Sequence, residues 1–213
     1  MPANFPELLA LALASALASG LNAYASVAML GLLQRYGVIH LQPPLSGLAN
    51  DWVIGVALAM FAVEFVADKI PYFDNVWDAI HTFIRIPVGA GLAGGIFSGQ
   101  PAHWQALMTA VGAALALQSH GSKASARLAV NASPEPFSNW ALSLGEDAFV
   151  VFLLWMAAHH PYITLAIVAA LAALFVLFLR AIFRALARLF RRIRRPSQVS
   201  GARFQVSGKT PAT

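Results

Sequence analysis

The sequence predicts an all-α membrane protein, a polytopic transmembrane helical bundle of about six spans. Of its 213 residues, 59% are hydrophobic and only 11% are charged, and the mean hydropathy is +0.67. Such values are typical of membrane proteins rather than of soluble domains. Apolar segments recur along the chain with no sign of a second domain. We therefore expect one transmembrane domain over residues 1–195 and a disordered cytoplasmic tail over residues 196–213.

The spans are predicted from the length of each apolar segment. Residues 8–33 and 161–179 approach or exceed the roughly 20 residues that a bilayer core requires. Four further segments are shorter or more polar, which favours positions inside a helical bundle, and they are 51–67, 84–97, 103–117 and 139–158. Turn-rich stretches, at 41–50, 98–102 and 132–138, separate some of these segments.

A basic amphipathic helix is predicted after the last span. Seven of the 14 Lys and Arg residues lie between Arg180 and Arg195, and most of them share one helical face. The positive-inside rule then places the C-terminus in the cytoplasm, and an even number of spans places the N-terminus there too. We expect these arginines to contact membrane lipids with anionic head groups, as a lipid-binding device or as an anchor. Nucleic acid is not expected as a partner, and a homo-oligomer is left open.

A faint internal repeat predicts two halves of three helices each. The spacing of Gly20 and the alanines after it returns at Gly121, and both copies interrupt an apolar segment. We expect helix breaks at Gly20, Asn22 and Gly121, facing each other in an inverted repeat, which is an anatomy typical of transporters. Close helix packing through small residues is the alternative explanation for the glycines.

Ionisable residues inside these apolar segments are the candidate functional residues. A charged side chain in the membrane costs several kcal/mol unless it is paired or hydrated. Such a residue therefore indicates either an ion pair between helices or a functional site. The candidates are Glu64 and Asp68; Asp74, Asp78, His81 and Arg85, which share one helical face; His120 and Lys123; and Glu146 and Asp147. Among them, Glu146 is the best candidate for a deeply placed acid.

Three functions are consistent with these residues. The first is transport of a small charged or amphiphilic solute, in which carboxylates take up protons or a cation while Arg85 and Lys123 hold an anionic group. The second is a membrane-embedded enzyme acting on lipid phosphate, whose cofactor is a divalent cation on the Asp74–Asp78–His81 stripe. In the third, the charges only pair helices. No P-loop, zincin motif or nucleophile elbow is present, which favours the first and third, neither of which needs a cofactor.

Three motifs together resemble a known family. They are 18–24 (Ala-Ser-Gly-Leu-Asn-Ala-Tyr), the run 63–85 with its carboxylates, His81 and Arg85, and 131–139 followed by Glu146-Asp147. Over about residues 8–190 the chain is similar to the bacterial integral-membrane family named domain of unknown function 4126. The resemblance implies a multi-span helical protein of the bacterial inner membrane and transfers no catalytic residue. It also implies that the charged run is a family pattern, which favours a function for it.

Overall fold

A computed structural model describes residues 4–70, 73–131 and 136–193, and these residues form helices and no strands. The predicted all-α bundle is therefore confirmed, whereas the predicted tail, 196–213, lies outside the described residues. The helices are α1 Phe5–Leu21, α2 Ala23–Arg35, α3 Asp51–Ala67, α4 Phe73–Ile96, α5 Ala102–Asn131, α6 Pro136–His159 and α7 Pro161–Ile193, with a short 3-10 helix, Leu45–Ala49, before α3.

Three helices of the described chain are long and apolar enough to cross a membrane. They are α4, α6 over Phe137–His159, and α7 over Pro161–Arg188. α3 has only 17 residues, and α5 carries charged and polar groups along its second half. The total of six spans stays a prediction.

The chain divides into two compact units, Met1–Phe175 and Val176–Thr213. In the first unit, α1 is the central helix and packs against α4, α5 and α6. Its buried face is built from alanines and leucines, and the core around it includes Leu30, Phe97 and Leu153. The second unit, as far as it is described, is the rest of α7, on which Phe183 is exposed.

The first predicted span, 8–33, is two helices joined at Asn22. The backbone of Asn22 is extended, with φ −149° and ψ 103°, so the helix cannot continue through it. Its N–H donates to the Ala18 carbonyl at the end of α1. Its side-chain oxygen accepts from the Ala25 N–H at 2.9 Å and thereby caps the start of α2.

The two helices fold back on each other as a hairpin with Asn22 at its tip. Phe5, at the start of α1, packs edge-on against Phe97, which follows α4, with 5.7 Å between ring centroids. The segment after α2 returns to the same place, where Ser98 Oγ donates to the Pro43 carbonyl at 2.8 Å. The predicted helix break at Asn22 is therefore present, but residues 8–33 do not form one span, because the single extended residue reverses the chain.

Small residues allow α1, α4 and α5 to pack closely. A Cβ on Gly20 would overlap Ser119 Oγ and the Ala116 carbonyl, and one on Gly89 would overlap Ala116 as well. Gly20 therefore lies inside α1 as a packing residue, two positions before the break. Gly121 lies within the unbroken α5 with open space around it. The predicted break at Gly121 is wrong, which removes the basis of the predicted repeat.

Candidate functional site

Ionisable residues from four helices converge on one buried group in the first unit. We call it the ionic cluster, and its charged members are Glu64, Asp68, Asp74, Asp78, Arg85, Lys123, Arg127, Glu146 and Asp147. His81 and His120 lie at its edge. All ten residues predicted as a binding site are therefore brought together, although they come from positions as far apart as 64 and 147.

Helical spacing explains why each helix presents its charges to one place. On α5, His120, Lys123 and Arg127 are three and four residues apart, so they form one stripe. On α4, Asp74, Asp78, His81 and Arg85 form a polar stripe in the same way. The stripe ends at Arg85, which lies roughly 17 Å along the helix axis from Ile96. Asp68 caps the end of α3. The cluster thus extends from the helix ends near residue 68 to the middle of α4, where it meets the hairpin tip.

Arg85 joins three helices at the inner end of the cluster. Its Nη2 donates to Glu64 Oε1 on α3 at 2.8 Å, and its Nη1 donates to Asp78 Oδ1 at 2.8 Å. The same Nη1 lies 3.0 Å from His120 Nδ1 on α5. The side chains of Arg85 and Glu64 are both completely buried. A guanidinium is permanently charged, so this position needs carboxylates around it.

Arg127 binds the carboxylates at the outer end of the cluster, near residue 68. Its Nη2 donates to Asp68 Oδ2 at 3.0 Å and to Glu146 Oε2 at 2.8 Å. Its Nη1 lies 3.2 Å from Asn139 Oδ1 and 3.5 Å from Asp74 Oδ2. This guanidinium therefore connects α3, α4 and α6 to α5.

Lys123 lies between the two arginines. Its Nζ donates to Asp68 Oδ2 at 2.7 Å and to the Leu21 carbonyl, at the end of α1, at 3.1 Å. Glu64 and Glu146 each place one oxygen within 4 Å, at 3.5 and 3.7 Å. Most of these oxygens also accept from Arg85 or Arg127, so single oxygens serve two cations.

The hydrogen bonds determine the tautomer of His120. Thr82 Oγ1 donates to the Asp78 carbonyl at 3.1 Å, so it accepts from His120 Nε2 at 2.6 Å. His120 Nδ1 then accepts from Arg85, and the ring is neutral. On His81, Nδ1 donates to the Trp77 carbonyl at 2.8 Å, and Nε2 lies 3.2 Å from the Tyr24 hydroxyl.

The hairpin tip reaches the cluster through Asn22. Its Nδ2 donates to Asp147 Oδ1 at 3.0 Å, and both residues are buried. Asp147 also lines an apolar groove of about 550 Å³ between α3 and α6, beside Phe61 and Trp155.

Lys69 lies in the turn after α3. Its ammonium group donates to the Phe65 carbonyl at 3.0 Å, and desolvation lowers the pKa of this ammonium.

Several buried carboxylate oxygens have no hydrogen-bond partner in the described part of the chain. They are Glu64 Oε2, Asp68 Oδ1, Asp78 Oδ2 and Asp147 Oδ2. Each belongs to a carboxylate whose other oxygen is already bonded. An unpaired buried oxygen costs about 1–3 kcal/mol, so a proton, a cation or water at these oxygens would stabilise the cluster.

The structure adds two details to the predicted site. The side chain of Glu146 is only 10% exposed, and that of Glu64 is fully buried. Arg127 is not among the predicted site residues, yet it is as central as Arg85. Its spacing from His120 and Lys123 on α5 is the signal that identifies it. Asn139 and Thr82 are uncharged, and the motifs 131–139 and 63–85 that contain them do not single them out.

The predicted divalent-cation stripe is not supported by the geometry. Among residues 4–70, 73–131 and 136–193, no three His, Asp or Glu side chains are placed to hold one metal ion. His81 turns instead toward Tyr24, and Asp78 pairs with Arg85.

Fold and site together define a helical membrane protein with a buried ionic centre. The chain belongs to the family described as Domain of unknown function (DUF4126), whose model matches residues 9–181. The resemblance seen in the motifs is therefore confirmed. No curated protein and no solved structure is significantly similar to the chain.

Proposed function

We propose that the protein transports a small charged solute across the membrane and that the ionic cluster takes up protons or monovalent cations during transport. The observation that carries this proposal is an excess of buried acid. Among the described residues, six carboxylates of the ionic cluster face three basic side chains, Arg85, Lys123 and Arg127. Counting Lys69 as a fourth cation still leaves the acids in excess.

Excess negative charge is not stable at a buried position. An uncompensated carboxylate either takes up a proton or binds a cation, because the desolvation cost is several kcal/mol per ion. His120 cannot compensate while it accepts from Arg85. Exchange of a proton or cation with solution is therefore a property expected of this cluster, and ion-coupled transporters depend on such exchange.

The hairpin of α1 and α2 supports the same proposal. Short helices that end inside a bundle direct their backbone dipoles at a binding site, and transporters use them for this purpose. Here the Leu21 carbonyl, at the negative end of α1, accepts from Lys123, and Asn22 holds Asp147. The irregular backbone is buried against other helices, which is the condition for tolerating it at membrane depth.

A structural role is the second candidate, and the ion pairs favour it. Arg85, Lys123 and Arg127 each contact carboxylates from more than one helix, and all three are buried. Such pairs hold helices in register whether or not anything is transported.

Ion uptake can be measured on the purified protein in liposomes that contain a pH-sensitive dye. We expect a pH gradient with a potassium diffusion potential to drive a proton flux that protein-free liposomes lack. Glu64→Gln and Asp78→Asn should each reduce this flux at least tenfold. Asp51→Asn is the matched control, since Asp51 is an exposed carboxylate paired with Arg35 outside the cluster, and it should leave the flux unchanged.

The same variants separate the two candidates. If folded wild-type protein shows no flux under any imposed gradient, coupled ion uptake is wrong. If Glu64→Gln unfolds the protein and Arg85→Met restores its stability in the double variant, the structural role gains support.

We further propose that the protein lies in the bacterial inner membrane with its C-terminus in the cytoplasm. The exposed arginines of α7, Arg180, Arg184 and Arg188, support this orientation through the positive-inside rule. A C-terminal green fluorescent protein should therefore be fluorescent, and a C-terminal alkaline phosphatase inactive. The reverse pattern would contradict the orientation.

A further inference from the structure

Negative and positive charges are segregated along the chain. None of the nine Asp and Glu residues follows Asp147, whereas seven of the 14 Lys and Arg residues lie between Arg180 and Arg195. Of the acids that the structure describes, six belong to the ionic cluster, and the other two are bonded to Arg35 and to Asn4. The arginines after the last span therefore have no acidic residue near them in the sequence.

The end of α7 is longer than a membrane span requires. α7 has 33 residues, and roughly 20 are enough to cross the hydrocarbon core of a bilayer. Its apolar run ends at Leu179, and the helix continues without a break to Ile193. We call residues 180–193 of α7 the basic segment. A single span over the apolar run places the basic segment at the level of the lipid head groups.

The basic segment has a cationic face and an apolar face. Four exposed arginines fall within an arc of roughly 80° when successive residues are placed 100° apart, and they are Arg180, Arg184, Arg188 and Arg191. The remaining side presents Ile182, Phe183 and Leu186, whose exposed fractions are 38, 66 and 44%. Helices with arginines on one face and Phe or Leu on the other typically lie in the membrane interface.

The arginines of this face have no carboxylate partner in the part of the chain that the structure describes. The one hydrogen bond between them runs from Arg188 Nε to the Arg184 carbonyl, at 3.3 Å. Like charges one helical turn apart repel each other. A guanidinium group binds two phosphate oxygens at once, so a phosphate group beside neighbouring arginines would stabilise the segment.

We infer that the basic segment is a binding surface for anionic phospholipids. The arginines bind the phosphate groups of the lipid heads, and Phe183 and Leu186 enter the adjoining part of the acyl chains. Charge complementarity and the apolar face together select this partner, because an anionic bilayer surface supplies phosphate and hydrocarbon side by side. A soluble acidic protein or a nucleic acid would leave Phe183 in water. The inference does not depend on the proposed transport.

Lipid selectivity of the full-length protein tests the inference. The protein is reconstituted in phosphatidylcholine bilayers that contain a trace of spin-labelled phosphatidylglycerol or spin-labelled phosphatidylcholine. At low salt, we expect the protein to immobilise phosphatidylglycerol with about threefold preference, and the preference should decrease in high salt because salt screens the attraction. Equal immobilisation of the two lipids at low salt would overturn the inference.

Variants of the arginine face locate the selectivity. Gln at positions 180, 184 and 188 together should remove at least half of the preference, and Lys at the same three positions should retain it. For single charges, Arg35→Gln is the matched control of Arg184→Gln, since Arg35 pairs with Asp51 outside the basic segment. An equal loss in these two single variants would show that net charge and not the basic segment selects the lipid.

A dye on the apolar face distinguishes lipid from soluble partners. The chain has no cysteine, so Phe183→Cys carries a single environment-sensitive label. We expect nitroxide-labelled acyl chains to quench this label at least twofold more in nanodiscs that contain phosphatidylglycerol than in phosphatidylcholine alone. Inorganic phosphate or duplex DNA, added to phosphatidylcholine nanodiscs, should not change its emission. A label that responds to either of these and not to phosphatidylglycerol would refute lipid as the partner.

Discussion

At the scale of single residues, the buried guanidinium groups of Arg85 and Arg127 hold the carboxylates of the ionic cluster in place. Arg85 donates to Glu64 on α3 and to Asp78 on its own helix, and Arg127 donates to Asp68 at the end of α3 and to Glu146 on α6. Their pairing has more effect on stability than an exposed ion pair does, because a buried charge cannot turn to water when its partner is lost.

Replacing Arg85 by Met should lower the free energy of unfolding by about 3–5 kcal/mol, since Glu64 and Asp78 are then buried without their cation. Thermal unfolding in detergent measures the change. Arg180→Met is the control, because Arg180 is exposed on α7, and it should have little effect. An equal loss in both variants would contradict the central position of Arg85.

The Asn22 side chain caps the start of α2 through its oxygen and donates to Asp147 through its nitrogen. Two substitutions distinguish these roles. Asn22→Asp keeps an oxygen for the Ala25 N–H but places a second carboxylate against Asp147. We expect it to cost about 1–3 kcal/mol more than Asn22→Ser, which also keeps a capping oxygen. In an Asp147→Asn background this difference should disappear. If it persists there, the Asn22–Asp147 bond is not what holds the hairpin tip.

At the scale of elements, close helix packing and not chain breakage explains Gly20 and Gly89. The two copies of the predicted repeat illustrate the difference. Gly20 has no room for a side chain, whereas Gly121 is surrounded by open space. Similar sequence spacing thus has different causes in α1 and α5.

Gly20→Ala should therefore destabilise the protein by about 1–3 kcal/mol, because the added methyl group must displace the Ala116 backbone or Ser119. Gly121→Ala should be neutral or stabilising by up to about 1 kcal/mol, since alanine is the better helix former. Melting temperatures of the two variants, measured side by side, provide the comparison. Destabilisation by Gly121→Ala would indicate a constraint on α5 that the packing does not show.

At the scale of the whole molecule, the hairpin changes the expected topology. Asn4 precedes α1 and Gly47 follows α2, and the two lie at the same end of the first unit as Gly99, after α4. The chain has no cysteine, so a single introduced thiol can be labelled specifically. Asn4→Cys, Gly47→Cys and Gly99→Cys should all react with an impermeant maleimide from one side of the membrane.

Ser138→Cys, near the start of α6, is expected to react from the opposite side. Its position next to the outer end of the cluster makes it the matched control for the three thiols. If α1 and α2 crossed the membrane as one span, Asn4→Cys and Gly47→Cys would instead be labelled from different sides.

Helix content, approximate boundaries and candidate residues were determined by the sequence itself. Apolar segments of suitable length and charges at helical spacing act locally, so a single sequence reveals them. The stripe of Asp74, Asp78, His81 and Arg85 is an example, because its four side chains share a face of α4 whatever the neighbouring helices do.

The tertiary structure alone decided which charges pair and that the chain reverses at Asn22. Lys123 contacts acids from α3, α4 and α6, and nothing local to α5 specifies those partners. The sequence predicts a helix break at Asn22, but the reversal there depends on the packing of α1 against α4 and α5, because a break alone does not fix the direction in which the chain continues. Pairing and reversal are properties of the assembled bundle, where burial makes an unpaired charge costly and close contact selects the small residues.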